Sequence, residues 1–116
     1  MTLFEVIVEL FLKIDSREWD ALREDFCEDC IYERPGYAPI MGLERLQQFY
    51  REERVIAAGQ HFLEKIVIDG AAGACWGSFS GTHKDSSRIH EKFADTYTFR
   101  EGKIHTRKSY FFRPAV

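Results

Sequence analysis

The sequence predicts one α+β domain, with helices packed on one face of an antiparallel sheet. Three observations carry that expectation. Apolar residues recur at helical spacing in the first half of the chain. Everything after Gly59 runs as strand-like segments separated by turn signals. The 116 residues suit a single domain and leave no length for a second.

Taken in order, Leu3, Val6, Ile7, Leu10, Phe11 and Ile14 predict an amphipathic first helix. Asp15 and Ser16 end it, and Ser16 can cap a second helix carrying Trp19, Leu22 and Phe26. A short extended piece from Cys30 to Arg34 is broken by Pro35-Gly36 and Pro39. A third helix begins near Gly42-Leu43, runs to about Ile56 and is ended by Gly59. Strands are then expected over 61–69, 74–82, 88–100 and 103–113. The turn signals between them are Asp69-Gly70, the polar loop His83 to Ser87, and the tight pair Glu101-Gly102.

Composition narrows the function. Apolar residues make up 45% and aromatic residues 15%, enough for a real core and incompatible with disorder. A net charge of −3 and a pI near 5.8 lack the basic footprint of a nucleic-acid binder. The longest apolar run is too short for a bilayer, so no membrane partner is expected. Glu5 and Glu9 interrupt the first apolar run, unlike a signal peptide, and a cytoplasmic protein is expected. Three cysteines, an odd number, fit free thiols in a reducing compartment. Cys27 and Cys30 form a C-x-x-C flanking Glu28 and Asp29, with neither a second pair nor a histidine at zinc spacing, so no metal site is expected.

The strand 88–100 carries the most chemistry. One face holds Ile89, Glu91, Phe93, Asp95, Tyr97 and Phe99, which should point at the helices. Asp95 then lies between two aromatic residues, where an ionised carboxylate is costly unless paired. Desolvation is what makes a carboxylate a useful base, so Asp95 is either a proton-transfer group or a buried anion held by arginine or tyrosine hydroxyls. On the third helix the inward stripe of Leu43, Leu46 and Tyr50 continues into Glu53 and Arg54, as at a pocket mouth or a solvated helix end. Tyr32 and Arg34 share one face of the short strand, and His61 opens the first long one. His83, His90 and His105 read as solvated structural residues, whereas Trp76, on a strand, is a candidate to line the cavity.

The stretches DFCEDCIYERPGYAPIMGLERLQQFY, ERVIAAGQH and FADTYTFREGKIHTRKSYF resemble the SnoaL-like branch of the nuclear transport factor 2-like superfamily. Ketosteroid isomerases, polyketide cyclases and limonene epoxide hydrolases belong to that group. The resemblance covers nearly the whole chain. It implies a cone-shaped fold in which a curved antiparallel or mixed sheet wraps three helices of the N-terminal half and encloses a pocket. It also implies a homodimer through the outer sheet face. The apolar residues on both faces of the first long strand, Phe62, Ile66 and Ile68 against Leu63 and Val67, agree with a covered outer face.

Residue by residue, Asp95 matches an acidic position that serves as acid or base in several members, and Tyr50 matches a tyrosine of the isomerase oxyanion network. The isomerase's helix-one tyrosine falls at Leu10 and its general-base aspartate at Arg34, so steroid isomerase activity is not implied. Of the epoxide hydrolases' arginine and paired aspartates, only Asp95 has an obvious counterpart. In polyketide cyclases an aspartate like Asp95 removes a proton next to a carbonyl, assisted by a histidine such as His61. The fold hosts many reactions, so the reaction itself has to come from the site.

The expected function is therefore a cofactor-independent enzyme of secondary-metabolite, polyketide-like biosynthesis. It would cyclise, isomerise or dehydrate a carbonyl-bearing substrate. Asp95 would transfer the proton, and Arg34 with Tyr50 or His61 would stabilise the oxyanion. Tyr32, Arg54, Trp76, Phe93, Tyr97 and Phe111 would bind a small apolar or polyketide-like ligand. The alternatives are an epoxide hydrolase in which Asp95 activates water, a pocket protein in which Arg34 and Arg54 hold a ligand carboxylate and neutralise Asp95, and a dimerisation module.

Overall fold

The computed structural model describes residues 1–111. Helix α1, Leu3–Asp15, starts at a reciprocal cap. The Thr2 hydroxyl accepts the Glu5 N–H at 3.1 Å, and the Glu5 carboxylate accepts the Thr2 N–H at 2.9 Å. Its buried face, Val6, Ile7, Leu10, Phe11 and Ile14, is the apolar stripe read from the sequence. A 3-10 helix, Trp19–Glu24, leads into strand β1, Phe26–Glu33. Lys13 reaches from α1 to the buried Asp25 carboxylate between them, at 2.8 Å.

The short strand β2, Ile40–Met41, precedes α2, Leu43–Gln48, which continues as a π-turn over Phe49–Glu53. Four long strands complete the chain: β3, Ile56–Asp69; β4, Ala72–His83; β5, Arg88–Arg100; and β6, Lys103–Phe111. They form one six-stranded open sheet in the order β2-β1-β6-β5-β4-β3. The inner face of that sheet and the helices share the main core. Among the described residues no helix is long and apolar enough to cross a membrane.

Several sequence expectations change in detail. The sheet is mixed, one of the two forms the resemblance implies: β1 runs parallel to β6 while the other pairs are antiparallel. Phe26 belongs to β1, where it is buried, and not to the second helix. The third helical segment ends at Glu53, Ile56 opens β3, and Gly59 lies inside that strand. A Cβ at Gly59 would come within 2.1 Å of the Phe79 ring, so the glycine serves close strand-to-ring packing, not helix termination. The predicted last strand extends to residue 113, and its residues 112 and 113 lie outside the described residues.

A bulge in β3 between Leu63 and Lys65 also overturns the expected face assignment. Phe62 pairs with Ser78 on the outside, whereas Ile66 pairs with Cys75 and packs on the core. One extra residue reverses side-chain parity, so Phe62 and Ile66 occupy opposite faces. Elsewhere the period holds: on β5 Ile89, Glu91, Phe93, Asp95, Tyr97 and Phe99 are all buried.

Candidate functional site

Strand β5 sets the centre of the site by placing Asp95 in the middle of the sheet's inner face, with no exposed surface. Its neighbours on β6 are Ser109, directly opposite, and Arg107, opposite Tyr97. Arg107 Nε donates to Asp95 Oδ2 at 3.0 Å, and its Nη2 stands 2.9 Å from the same oxygen in the ion pair. Tyr97 donates to the same oxygen at 2.9 Å, and Ser109 donates to Oδ1 at 2.6 Å. Three hydrogen bonds and one ion pair thus hold this carboxylate, with Oδ2 the more heavily engaged oxygen.

The network then runs outward. Because Ser109 gives its proton to Asp95, the Tyr32 hydroxyl at 3.0 Å must donate to Ser109. Arg107 Nη1 donates to the Tyr50 hydroxyl at 3.0 Å, which leaves the Tyr50 proton available. Tyr50 comes from the π-turn and stacks on Trp19, with ring centroids 5.0 Å apart. Burial alone would weaken the Arg107 charge, but Asp95 and the surrounding tyrosines hold its pKa well above the usual arginine value. Burial pushes Tyr32 up to about 12, so its phenol keeps its proton.

A second ion-pairing unit approaches the same cavity from the other side. His61 on β3 presents Nδ1 to Asp15 Oδ1 at 2.6 Å, and its backbone N–H donates to Asp15 Oδ2 at 2.8 Å. Asp15 is the last residue of α1, so the helix end is clamped to the strand. A carboxylate only accepts; it therefore fixes the Nδ1–H tautomer and leaves Nε2 bare. Nε2 has no protein partner among the described residues. The ring packs among Phe11, Phe79 and Phe93, with centroids 4.7, 4.6 and 5.5 Å away. Burial, with Arg54 and Arg107 nearby, lowers the His61 pKa below the usual histidine value even against Asp15.

His61, Asp95, Arg107 and Ser109 line a cavity of about 50 Å³, together with Tyr32, Arg34, Tyr50, Arg54, Glu91, Phe93 and Phe111. That volume holds a few waters or one functional group of a ligand. Arg34 reaches the cavity but does not touch Asp95: its guanidinium lies between the Tyr37 and Phe49 rings, 4.2 Å from each centroid. Arg54 is buried over Trp19, Tyr50 and Phe79, and Glu53 turns away to a bidentate pair with Arg45.

Of the sequence-predicted residues, Asp95, His61, Tyr50, Arg34, Tyr32, Arg54, Phe93 and Phe111 therefore meet at one cavity. Tyr97 stands behind it, holding Asp95. Trp76 does not belong: it pairs with Ala94 on the outer face and is 39% exposed, because its strand neighbours Cys75 and Gly77 have the inward parity. Sequence reasoning assigned no role to Arg107, Ser109 or Asp15. The three cysteines are free, and the described residues hold no cluster suited to a metal ion.

A family model described as the SnoaL-like domain matches residues 7–106. No curated protein sequence matches the chain closely enough to count as a relative. Solved structures are similar over nearly its whole length. An LEH-like epoxide hydrolase of M. tuberculosis superposes with a TM-score of 0.82 at 17% identity, over 94% of this chain and 81% of that one. The epoxide hydrolase/cyclase-like enzyme SalBIII, of pyran ring formation in the polyether salinomycin, gives a TM-score of 0.82 at 22% identity, over 94% and 89%. An NTF2-like protein of unknown function from Burkholderia pseudomallei gives 0.87 at 16% identity, over 96% and 92%. At such identities the likeness speaks for the cone-shaped fold alone.

Proposed function

The chain belongs to the SnoaL-like domain family, and from that premise we propose that it is an enzyme that moves a proton on a small carbonyl-bearing substrate. The single observation that carries this reading is the Asp15–His61 pair, which presents the His61 ring, packed among aromatic residues, at the cavity wall. It places a neutral, oriented imidazole where water is scarce. Proton transfer is thereby moved from Asp95, which is fully buried and paired with Arg107, to His61.

In this scheme Nε2 of His61 takes a proton from the carbon beside the carbonyl. The electron pair of the broken C–H bond moves to the carbonyl oxygen, forming an enolate. The Tyr50 hydroxyl, polarised by Arg107, donates to that oxygen. Asp95 anchors Arg107, so it supports the oxyanion side without exchanging a proton. Return of the proton at another atom completes an isomerisation; its delivery to a departing hydroxyl completes a dehydration, and attack of the enolate carbon on a second carbonyl closes a ring. The ligand is a small apolar or polyketide-like ketone. Epoxide hydrolysis with Asp95 activating water gains no support from a carboxylate that is fully buried and paired with Arg107.

The test is deuterium uptake beside the carbonyl across a panel of cyclic aryl ketones, followed by NMR in heavy water. The expected result is exchange above the solvent rate that His61→Gln abolishes and Asp15→Asn lowers by about 10²- to 10⁴-fold. Exchange that persists unchanged in His61→Gln, or that never exceeds the solvent rate, overturns the reading. The site serves a homodimer in which the outer sheet face, bearing Phe62, Trp76 and Tyr110 exposed, is the contact.

A further inference from the structure

Two cations line the cavity without a carboxylate partner. Arg34 and Arg54 make no ion pair among the described residues, whereas Arg107 is committed to Asp95. Arg34 Nε is enclosed and is the one buried side-chain nitrogen or oxygen with no hydrogen-bond partner among the described residues. An orphaned charged donor of this kind costs free energy unless something fills it. Arg54 is 9% exposed and meets only aromatic faces, those of Trp19, Tyr50 and Phe79. Burial, with Arg107 nearby, lowers its pKa, although Asp15 and the tyrosines act the other way.

The charge around the cavity points the same way. The guanidiniums of Arg34, Arg54 and Arg107 face two lining carboxylates, Glu91 and Asp95. Glu91 is engaged in an interaction of its own, and Asp95 is covered by Arg107. Asp15 stands behind His61 and does not line the cavity. One positive charge is left over, in walls of low polarity. Of the anions that match a guanidinium, a carboxylate is the group whose planar pair of oxygens fits such a cavity and the Arg fork. Tyr37 and Phe49 sandwich Arg34, so the cation is held in one plane by its neighbours before any ligand arrives.

We infer that the substrate is a carboxylate: an aryl or conjugated keto acid whose carboxylate is held by Arg34 and Arg54. This deepens the proposed function, since it rests on the same cavity being the reaction site. The carboxylate occupies the arginine end, and the carbonyl lies between Tyr50 and His61. The cavity volume of about 50 Å³ takes a head group of this size, and the rest of the ligand leaves past Phe111 at the wall. A neutral ketone binds the same aromatic walls but leaves Arg34 Nε unfilled.

The experiment compares benzoate with benzamide, which match in shape and differ in charge, by calorimetry and NMR titration of the intact chain. Benzoate is expected to bind at least about tenfold more tightly, with the preference shrinking as salt is added. Arg34→Gln and Arg54→Gln should each reduce that preference while thermal unfolding shows a folded protein. Equal binding of the two probes, or no saturable binding of benzoate, overturns the inference, and the wild-type comparison decides it even where a variant fails to fold. The ketone exchange assay separates this result from the function itself. Benzoate preference without ketone exchange removes the proton-transfer reading alone; ketone exchange without benzoate preference removes the carboxylate alone.

Discussion

Replacing Arg107 by leucine isolates the Asp95 anion inside the sheet. The pair is almost completely enclosed, with side-chain exposures of 4% for Arg107 and 0% for Asp95, so solvent does not screen it. The variant removes the guanidinium donor and, among the described residues, the one cation in contact with the carboxylate. Stranding one member of a buried pair costs about 3–5 kcal/mol. For a chain of 116 residues the entropy of unfolding is about 0.24 kcal/mol per kelvin, so the melting temperature should fall by roughly 12–20 °C. The assay is thermal and denaturant unfolding of Arg107→Leu beside Asp95→Leu and the double variant. Removing both charges leaves no stranded ion, so the double variant should recover most of the loss. A single variant that loses under about 1 kcal/mol, or a double variant no better than either single, refutes the reasoning.

Three further outcomes follow from the geometry. The folded-state pKa of His61 is lowered, so below the unfolded value near 6.5 the unfolded chain takes up a proton that the folded one refuses. His61 therefore contributes stability above that value and loses it as the pH falls toward its folded pKa; His61→Gln should flatten the denaturant midpoint between about pH 5 and 7, and an unchanged pH slope would count against it. Gly59→Ala should destabilise by about 1–3 kcal/mol, because its methyl would meet the Phe79 ring that packs on His61; an unaltered melting temperature contradicts that. Trp76→Glu and Phe62→Glu should convert a dimer to a monomer in sedimentation velocity at tens of micromolar, and a monomeric parent chain sinks the outer-face contact.

The fold was legible where side-chain period speaks. The stripe on α1, the alternation of β5 and the Glu101-Gly102 turn, both residues at positive φ, all stand in the sequence. The members of the site on those elements, Asp95 and Phe93, were legible for the same reason. Arg107 and Ser109 were not, and a single irregularity explains why. Counting back from Arg100–Lys103 and Phe99–Ile104 would set Lys108 opposite Asp95. The register shifts between Thr98 and Phe99, so Ser109 takes that place and Arg107 turns inward. Asp15 was read as a helix stop because its partner His61 lies far along the chain; only the packing of α1 on β3 joins them.

The parallel pairing of β1 with β6 has a consequence for how the chain acquires its shape. Phe26 to Glu33 finds its long neighbour only at Ile104 to Lys108, so most of the polypeptide must be in place before β1 has a ladder to join. The hairpins β3 to β6 can zip from their own turns, each closing a short loop. Beyond its two-residue pairing with β2, the N-terminal strand has no such local route, and its long edge is expected to dock on hairpins already formed. Closure of that one seam brings Tyr32 to Ser109 and completes the polar cluster around Asp95. Such long-range pairing belongs to slow folding, on the millisecond-to-second scale of β-rich topologies. Tyr32 reaches the cavity from this seam alone, so a chain in which β1 has not docked has its hairpins but lacks that wall.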